Sequence, residues 1–215
     1  MVHKTKDDGL SLMFYNPADN HHGLAADPFK AIVAPRPIGW IGSRNSQTGV
    51  LNLAPYSFFN AISDQPKQII FSSEGRKDSV CNIEMSGEFT VNLVSFPLVE
   101  RMNITAIPAS ADTDEFTLAG LTPVTGRVVA APYVGEAHAV LECRMTEMFQ
   151  PRTLAGTKAD NIVVIAQVVG IHIDPAIVTD GRIDITKART VGRLGYSDYA
   201  EITEVFRLKR PEIKR

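Results

Sequence analysis

The chain has 215 residues, a formal net charge of −2, 44% hydrophobic residues and 21% charged residues. That length suits one large domain or two small ones, with a core that needs no covalent staples. A near-neutral chain gives no global argument for nucleic acid or an anionic membrane, so neither is expected as a partner, and any anion site has to be local. Cys81 and Cys143 lie in apolar stretches outside any CxxC spacing, and they read as free, buried thiols in a reducing compartment. No stretch approaches the roughly 20 apolar residues of a bilayer span, and the N-terminus carries no apolar core of secretory length. A soluble, cytoplasmic protein is expected.

Residues 1–28 are polar and irregular, with "NPADNHHG" as a loop signal, and they read as an extension ahead of one domain over 29–215. The pair His21–His22 has no carboxylate or cysteine at ligand spacing, so no metal site is expected. "IGWIGS" (38–43) predicts a strand and "RNSQTGV" (44–50) a hairpin turn. "LNLAPYSFFNAIS" (51–63) resumes extended, with Pro55 marking a break or an edge, and "QIIFSS" (68–73) is a further strand. "DSVCNIEMSG" (78–87) predicts a short helix, with Asp78 as N-cap and Gly87 as stop. "EFTVNLVS" alternates as a strand. "PLVERMNITA" (97–106) reads as helical, with Pro97 in its first turn. "DEFTLAGLTPVTG" (114–126) reads as a short helix or turn and then coil. "HAVLECRMTEMFQ" (138–150) and "NIVVIAQVVGIHID" (161–174) are strands rich in β-branched residues, and the tail is a glycine-rich loop with a last strand. Strands dominate, and helices of crossover length do not separate them. The pattern predicts a mainly β, antiparallel barrel with helical insertions. Neither GxGxxG after a strand nor GxxxxGK[ST] is present.

Two stretches carry candidate chemistry. "FSSEGRKDSVCNI" (71–83) gathers Ser72, Ser73, Arg76, Lys77 and Ser79 around one helix start. Free amides and a partial positive charge there favour a phosphate. An N-capping Asp78 would occupy the same amides, so a solvated, capped turn is the competing reading. "NLAPYSFFNAIS" mixes Ser57 and Asn60 with Tyr56, Phe58 and Phe59, a composition suited to a planar heterocycle, with core packing as the alternative for the two phenylalanines. The five histidines are scattered, with His172 inside a strand as a satisfied core or interface residue. No nucleophile–base pair is apparent, so a cofactor is expected to carry any chemistry, with no catalytic side chain.

The ordered runs "PRPIGWIGSRNSQTGVLNLAPYSFFNAIS", "IIFSSEGRKDSVCNIEMSGEFTVNLVS", "MNIT", "DEFTLAGLTP", "LEC" and "VVGIHID…DGRIDI…VGRLGYSDY" resemble the flavin reductase-like, flavoredoxin-type family, from about Pro35 to Tyr199. The resemblance implies an FMN-binding split β-barrel and a homodimer with FMN near the subunit interface. The apolar run "NIVVIAQVVGI", which one small barrel does not fully cover, agrees with a dimer. It implies an NAD(P)H-dependent flavin reductase in which hydride passes from NADH or NADPH to FMN, with a downstream monooxygenase or other electron acceptor. By resemblance, Ser73, Arg76, Lys77 and Ser79 hold the phosphate beside Ser72, and Asp78 orients Lys77 or a ribityl hydroxyl. Backbone groups of Ser57, Phe58, Phe59 and Asn60 contact the ring edge, Arg36 and Trp40 flank the cofactor, and Tyr196 stacks from a closing loop. Residues 150–160, "QPRTLAGTKAD", match no part of that pattern. Alternatives are an FMN electron carrier, a non-catalytic flavin-binding or sensing module, and an oxidase of a phosphorylated pyridine, which would need a second basic cluster.

Overall fold

The structure is a computed structural model that describes residues 12–211. Its strands are β1 (Gly39–Arg44), β2 (Leu51–Tyr56), β3 (Phe59–Asp64), β4 (Lys67–Glu74), β5 (Glu88–Asn92), β6 (Pro123–Thr125), β7 (Pro132–Val134), β8 (Ala139–Phe149), β9 (Asn161–Ile173), β10 (Val178–Thr179), β11 (Arg182–Ile183), β12 (Val191–Arg193) and β13 (Tyr199–Glu201). The helices are short: α1 (Phe29–Ile32), α2 (Asp78–Ser86), α3 (Val99–Ile104) and α4 (Glu115–Leu118). Seven strands form one antiparallel sheet in the order β2-β1-β5-β8-β9-β4-β3, and the others form three small hairpins.

The connectivity dictates the shape. β2 and β3 lie at opposite edges of the sheet, yet only Ser57 and Phe58 join them. Laid flat, seven strands would separate those edges by roughly 29 Å at about 4.8 Å per gap, whereas three Cα–Cα steps span at most about 11 Å. The sheet therefore curls until its edges meet without pairing. Register shifts at Ala61/Ser63 in β3, and at Glu142/Cys143 and Met145/Glu147 in β8, add local bend. The result is the antiparallel split barrel expected from the sequence.

Alternation along β1 separates two cores. Ile41 points into the barrel with Tyr56, Phe71, Phe89, Cys143 and Val164. Trp40 points the other way, packing with Leu53, Leu98, Met102 and Phe116 beneath α3 and α4. Burial pushes the Cys143 thiol up to about 12, and both cysteines are free, with Cys81 only partly buried. Helix α2 closes one end of the barrel with Val80 and Ile83, and Gly87, left-handed at φ 71°, ends it as expected.

Three local expectations need correction. Lys77, not Asp78, is the N-cap of α2, and no side chain caps it. The segment 96–98 is a 3-10 turn, so α3 starts at Val99. Residues 123–125, expected as coil, pair with β7. Residues 150–160 form an exposed hairpin tip between β8 and β9, closed by the Arg152–Lys158 bridge.

Candidate functional site

Where β2 and β4 part at the split, a cavity of about 510 Å³ opens, floored by the start of α2 and walled by residues 105–109 and Glu115. The edge strand β2 is unpaired on this side. Its exposed ladder is blunted by Pro55, which has no N–H, and by Glu115, whose Oε2 accepts from Leu53 N at 3.1 Å. The site thus occupies a sheet edge that would otherwise invite another strand.

At the α2 end, the chain leaves β4, turns at Gly75 (φ 77°) and enters the helix at Lys77. Cys81 N bonds Lys77 O, so the first three helical amides have no intrahelical acceptor, and those of Asp78 and Ser79 belong to cavity-lining residues. Arg76 is drawn toward Glu84 in an exposed ion pair, whereas Lys77 has no carboxylate within ion-pair distance among the described residues. The helix start is fixed from below. Ser79 Oγ donates to Asn52 Oδ1 at 2.7 Å, Ser43 Oγ donates to the same oxygen at 3.1 Å, and Asn52 Nδ2 donates to Glu115 Oε2 at 3.1 Å. Burial raises the Glu115 pKa, partly offset by the Leu53 amide and the Asn52 side chain. Tyr56 lines the same cavity, and its hydroxyl is buried with no hydrogen-bond partner, although the Ser73 and Ser79 hydroxyls are close enough to oppose the rise that burial causes in its pKa.

At the other end, Ser72 N donates to Phe58 O at 2.8 Å, so the two stretches singled out in the sequence meet directly. Ser57, Phe58 and Ser72 line the cavity, and Lys30 Nζ lies 5.7 Å from the centre of the Phe58 ring. The cavity therefore has cations at both ends, Lys30 beside the aromatic and hydroxyl surface of Phe58, Ser57 and Ser72, and Arg76 with Lys77 at α2, and the carboxylates of Glu74, Asp78 and Glu115 also line it.

Of the sequence-predicted residues, Ser57, Phe58, Ser72, Arg76, Lys77, Asp78 and Ser79 converge on this cavity. Arg36, Phe59 and Asn60 line a neighbouring cleft of about 570 Å³ that shares Ser57, Phe58 and Ser72 with it. The remaining three do not reach either. Trp40 is fully buried on the outer face of β1, where its indole N–H donates to Thr105 Oγ1 at 2.9 Å, so it supports a lining residue from behind. Ser73 points into the barrel and donates to Gly75 O at 2.9 Å. Tyr196 sits at a turn with φ 53°, half exposed, and lines neither the cavity nor the cleft. The sequence reading missed Lys30, Glu115 and the 105–109 wall. None shares a local motif with the phosphate-type stretch, and only the topology brings them to it.

A family model described as a flavin reductase like domain matches residues 33–186. An uncharacterized protein of Aquifex aeolicus is 35% identical over 184 residues, covering 83% of this chain and 90% of its own. Among solved structures, nitrilotriacetate monooxygenase component B from Bacillus cereus superposes with a TM-score of 0.81 at 30% identity, covering 94% of this chain and all of its own. Flavoredoxin of Desulfovibrio vulgaris (Miyazaki F) shares the fold, with a TM-score of 0.72 at 24% identity over 81% of this chain and 90% of its own. The curled sheet, the cavity at its split and these matches lead to one conclusion: the chain belongs to the flavin reductase-like family.

Proposed function

We propose that the chain binds FMN in the cavity at the split and works, as a homodimer, as an NAD(P)H-dependent flavin oxidoreductase. One observation carries this reading: the uncapped start of α2, flanked by Lys77, opens on the same cavity as the Ser57–Phe58 turn. A ligand with one terminal phosphate and a planar ring needs that pairing. The residues present fit such a group. The free amides and Lys77 suit a phosphate. Ser57 and Ser72 supply hydroxyls beside the Phe58 ring.

FMN held there would supply two-electron redox chemistry between a reduced nicotinamide and an electron acceptor. The chain's own part is to hold and orient. Lys77 and the α2 amides grip one end, Phe58 offers an apolar face, and the Asn52–Glu115 network keeps β2 and α2 in fixed relation. A nicotinamide has room in the adjoining cleft, which shares Ser57 and Phe58 with the cavity. Dimerisation is supported by an apolar cleft of about 210 Å³ between Ile38, Phe59, Leu93 and Leu141, a surface suited to cover by a second copy. The likeness to a monooxygenase component B supports delivery of reduced flavin to a monooxygenase partner.

The test is anaerobic mixing of the FMN-loaded protein with NADH or NADPH while flavin absorbance is followed. Rapid bleaching is expected with at least one donor. Bleaching only by a protein donor would mean an electron carrier, and no reduction by either would mean a binding module.

A further inference from the structure

Helix α1 has four residues, too few to hold itself together in water, yet the molecule fixes it through Arg36 and Gly195. The guanidinium of Arg36, itself buried, donates to the carbonyl oxygens of Lys30 and Val33 in α1 and its C-cap, to Leu194 O at 2.7 Å and to Ser57 Oγ at 3.4 Å. No carboxylate pairs with that guanidinium among the described residues. Gly195, next to the Leu194 whose carbonyl Arg36 binds, packs so closely that a Cβ there would lie 2.4 Å from Ala31 Cβ. Phe29 and Ile32 of α1 are largely exposed, and Ala31 faces Gly195. The fourth residue, Lys30, is the α1 side chain that reaches the main cavity, over Phe58 and without a carboxylate partner. A buried, uncompensated arginine thus serves to hold one lysine at the aromatic end of the site.

That end is where a heterocycle lies if the phosphate occupies the α2 end, since β4 runs from Ser72, beside Phe58, to the turn before α2. Two electrons and one proton, delivered as hydride by a reduced nicotinamide that is thereby oxidised, leave a flavin ring one unit more negative. We infer that Lys30 is the specificity-determining residue for redox state: its ammonium group raises the affinity of the site for fully reduced FMN relative to its affinity for oxidised FMN, against the Glu74, Asp78 and Glu115 carboxylates that also line the cavity. This inference rests on the FMN reading above.

The experiment compares the dissociation constants of oxidised and dithionite-reduced FMN, measured anaerobically at mildly alkaline pH, for the full chain and for its Lys30→Met and Lys30→Arg variants. A unit charge several ångströms from a partly solvated cation predicts about three- to thirtyfold weaker binding of reduced FMN by Lys30→Met. Oxidised FMN should change by less than about threefold. The bound two-electron potential should then fall by roughly 15–45 mV. Lys30→Arg should restore most of the difference. Equal weakening of both redox forms would make Lys30 a plain anchor and overturn the inference, as would no change in either. Failure of the unaltered chain to bind FMN in any form would instead overturn the FMN reading, and the inference with it.

Discussion

Ser79 Oγ, in the first turn of α2, donates a 2.7 Å hydrogen bond to Oδ1 of Asn52, near the start of β2, so the floor and the wall of the cavity are one hydrogen-bonded unit. Asn52 is nearly fully buried and uses both ends of its amide, accepting from Ser43 and Ser79 and donating to Glu115. Buried networks of this kind are costly to break in part, because each deserted group keeps its desolvation penalty. Asn52→Ala should therefore cost about 2–4 kcal/mol in stability, against about 1 kcal/mol for Ser79→Ala. Urea unfolding of the two variants measures this. A loss under about 1 kcal/mol for Asn52→Ala would show that the apolar face of α2 positions it unaided.

Much of this was legible in the sequence, and the failures have physical causes. β4 and α2 were readable because a short apolar run met a helix bounded by Gly87. The residues from Arg76 to Ser79 were readable because one helix start uses contiguous residues. Lys30 and Glu115 were not, because they reach the cavity only through the curl of the sheet and the clamp of Arg36. Trp40, set beside the cofactor by the resemblance alone, is turned outward by the alternation of β1 and lies behind the cavity wall against Thr105. Asp78 looked like an N-cap on residue type alone, but the helix starts with Asp78 already inside it, which leaves the cap without a side-chain bond.

Gly42 marks a place where backbone must approach backbone. A Cβ added there would lie 2.3 Å from Pro132 O and 2.5 Å from Thr90 Oγ1, two atoms already hydrogen-bonded to each other at 2.6 Å. Pro132 O belongs to main chain and cannot rotate away. Gly42→Ala should destabilise by about 1–3 kcal/mol through overpacking alone, lowering the melting temperature by roughly 2–4 °C for each kcal/mol. Gly75→Ala meets no atom within 4 Å but sits at φ 77°, so its smaller loss, about 1 kcal/mol, would come from backbone strain. Thermal melts of both variants separate the two causes, and an unchanged melt for Gly42→Ala would refute the close approach.

Glu142 sets a pH dependence of stability. Its carboxylate is buried inside the barrel wall, and burial alone would push its pKa up. A bond from His172 Nε2 at 2.5 Å and bonds from the amides of Arg127, Val128 and Val129 outweigh burial and bring it down to about 2. A carboxyl whose pKa is lower folded than unfolded stabilises the fold above its unfolded value. That contribution is lost as pH falls from about 4.5 toward 2, and its size is on the order of 3 kcal/mol. Between those limits the unaltered chain should lose stability more steeply than Glu142→Gln, as read by denaturant midpoints at a series of pH values. Parallel curves would mean that other carboxyls govern the acid limb.

Lys77 and Lys67 are ten residues apart in the same β4–α2 region, but their surroundings differ. Lys67 Nζ pairs with Asp64 Oδ1 at 2.7 Å in the β3–β4 turn, outside the cavity. Lys77 lines the cavity next to unbonded helix amides and has no carboxylate partner among the described residues. A charge-assisted bond to a phosphate contributes about 1.5–3 kcal/mol, or roughly ten- to a hundredfold in affinity, whereas a solvated surface lysine contributes close to nothing. Lys77→Ala should therefore weaken FMN binding by that factor and leave the melting temperature of the flavin-free protein unchanged, while Lys67→Ala should change neither. Arg76→Ala should fall between them, because Glu84 already competes for its guanidinium. Fluorescence titration of FMN against the three variants measures the order. Equal, small effects at Lys77 and Lys67 would reduce the α2 start to a solvated turn and move the phosphate elsewhere.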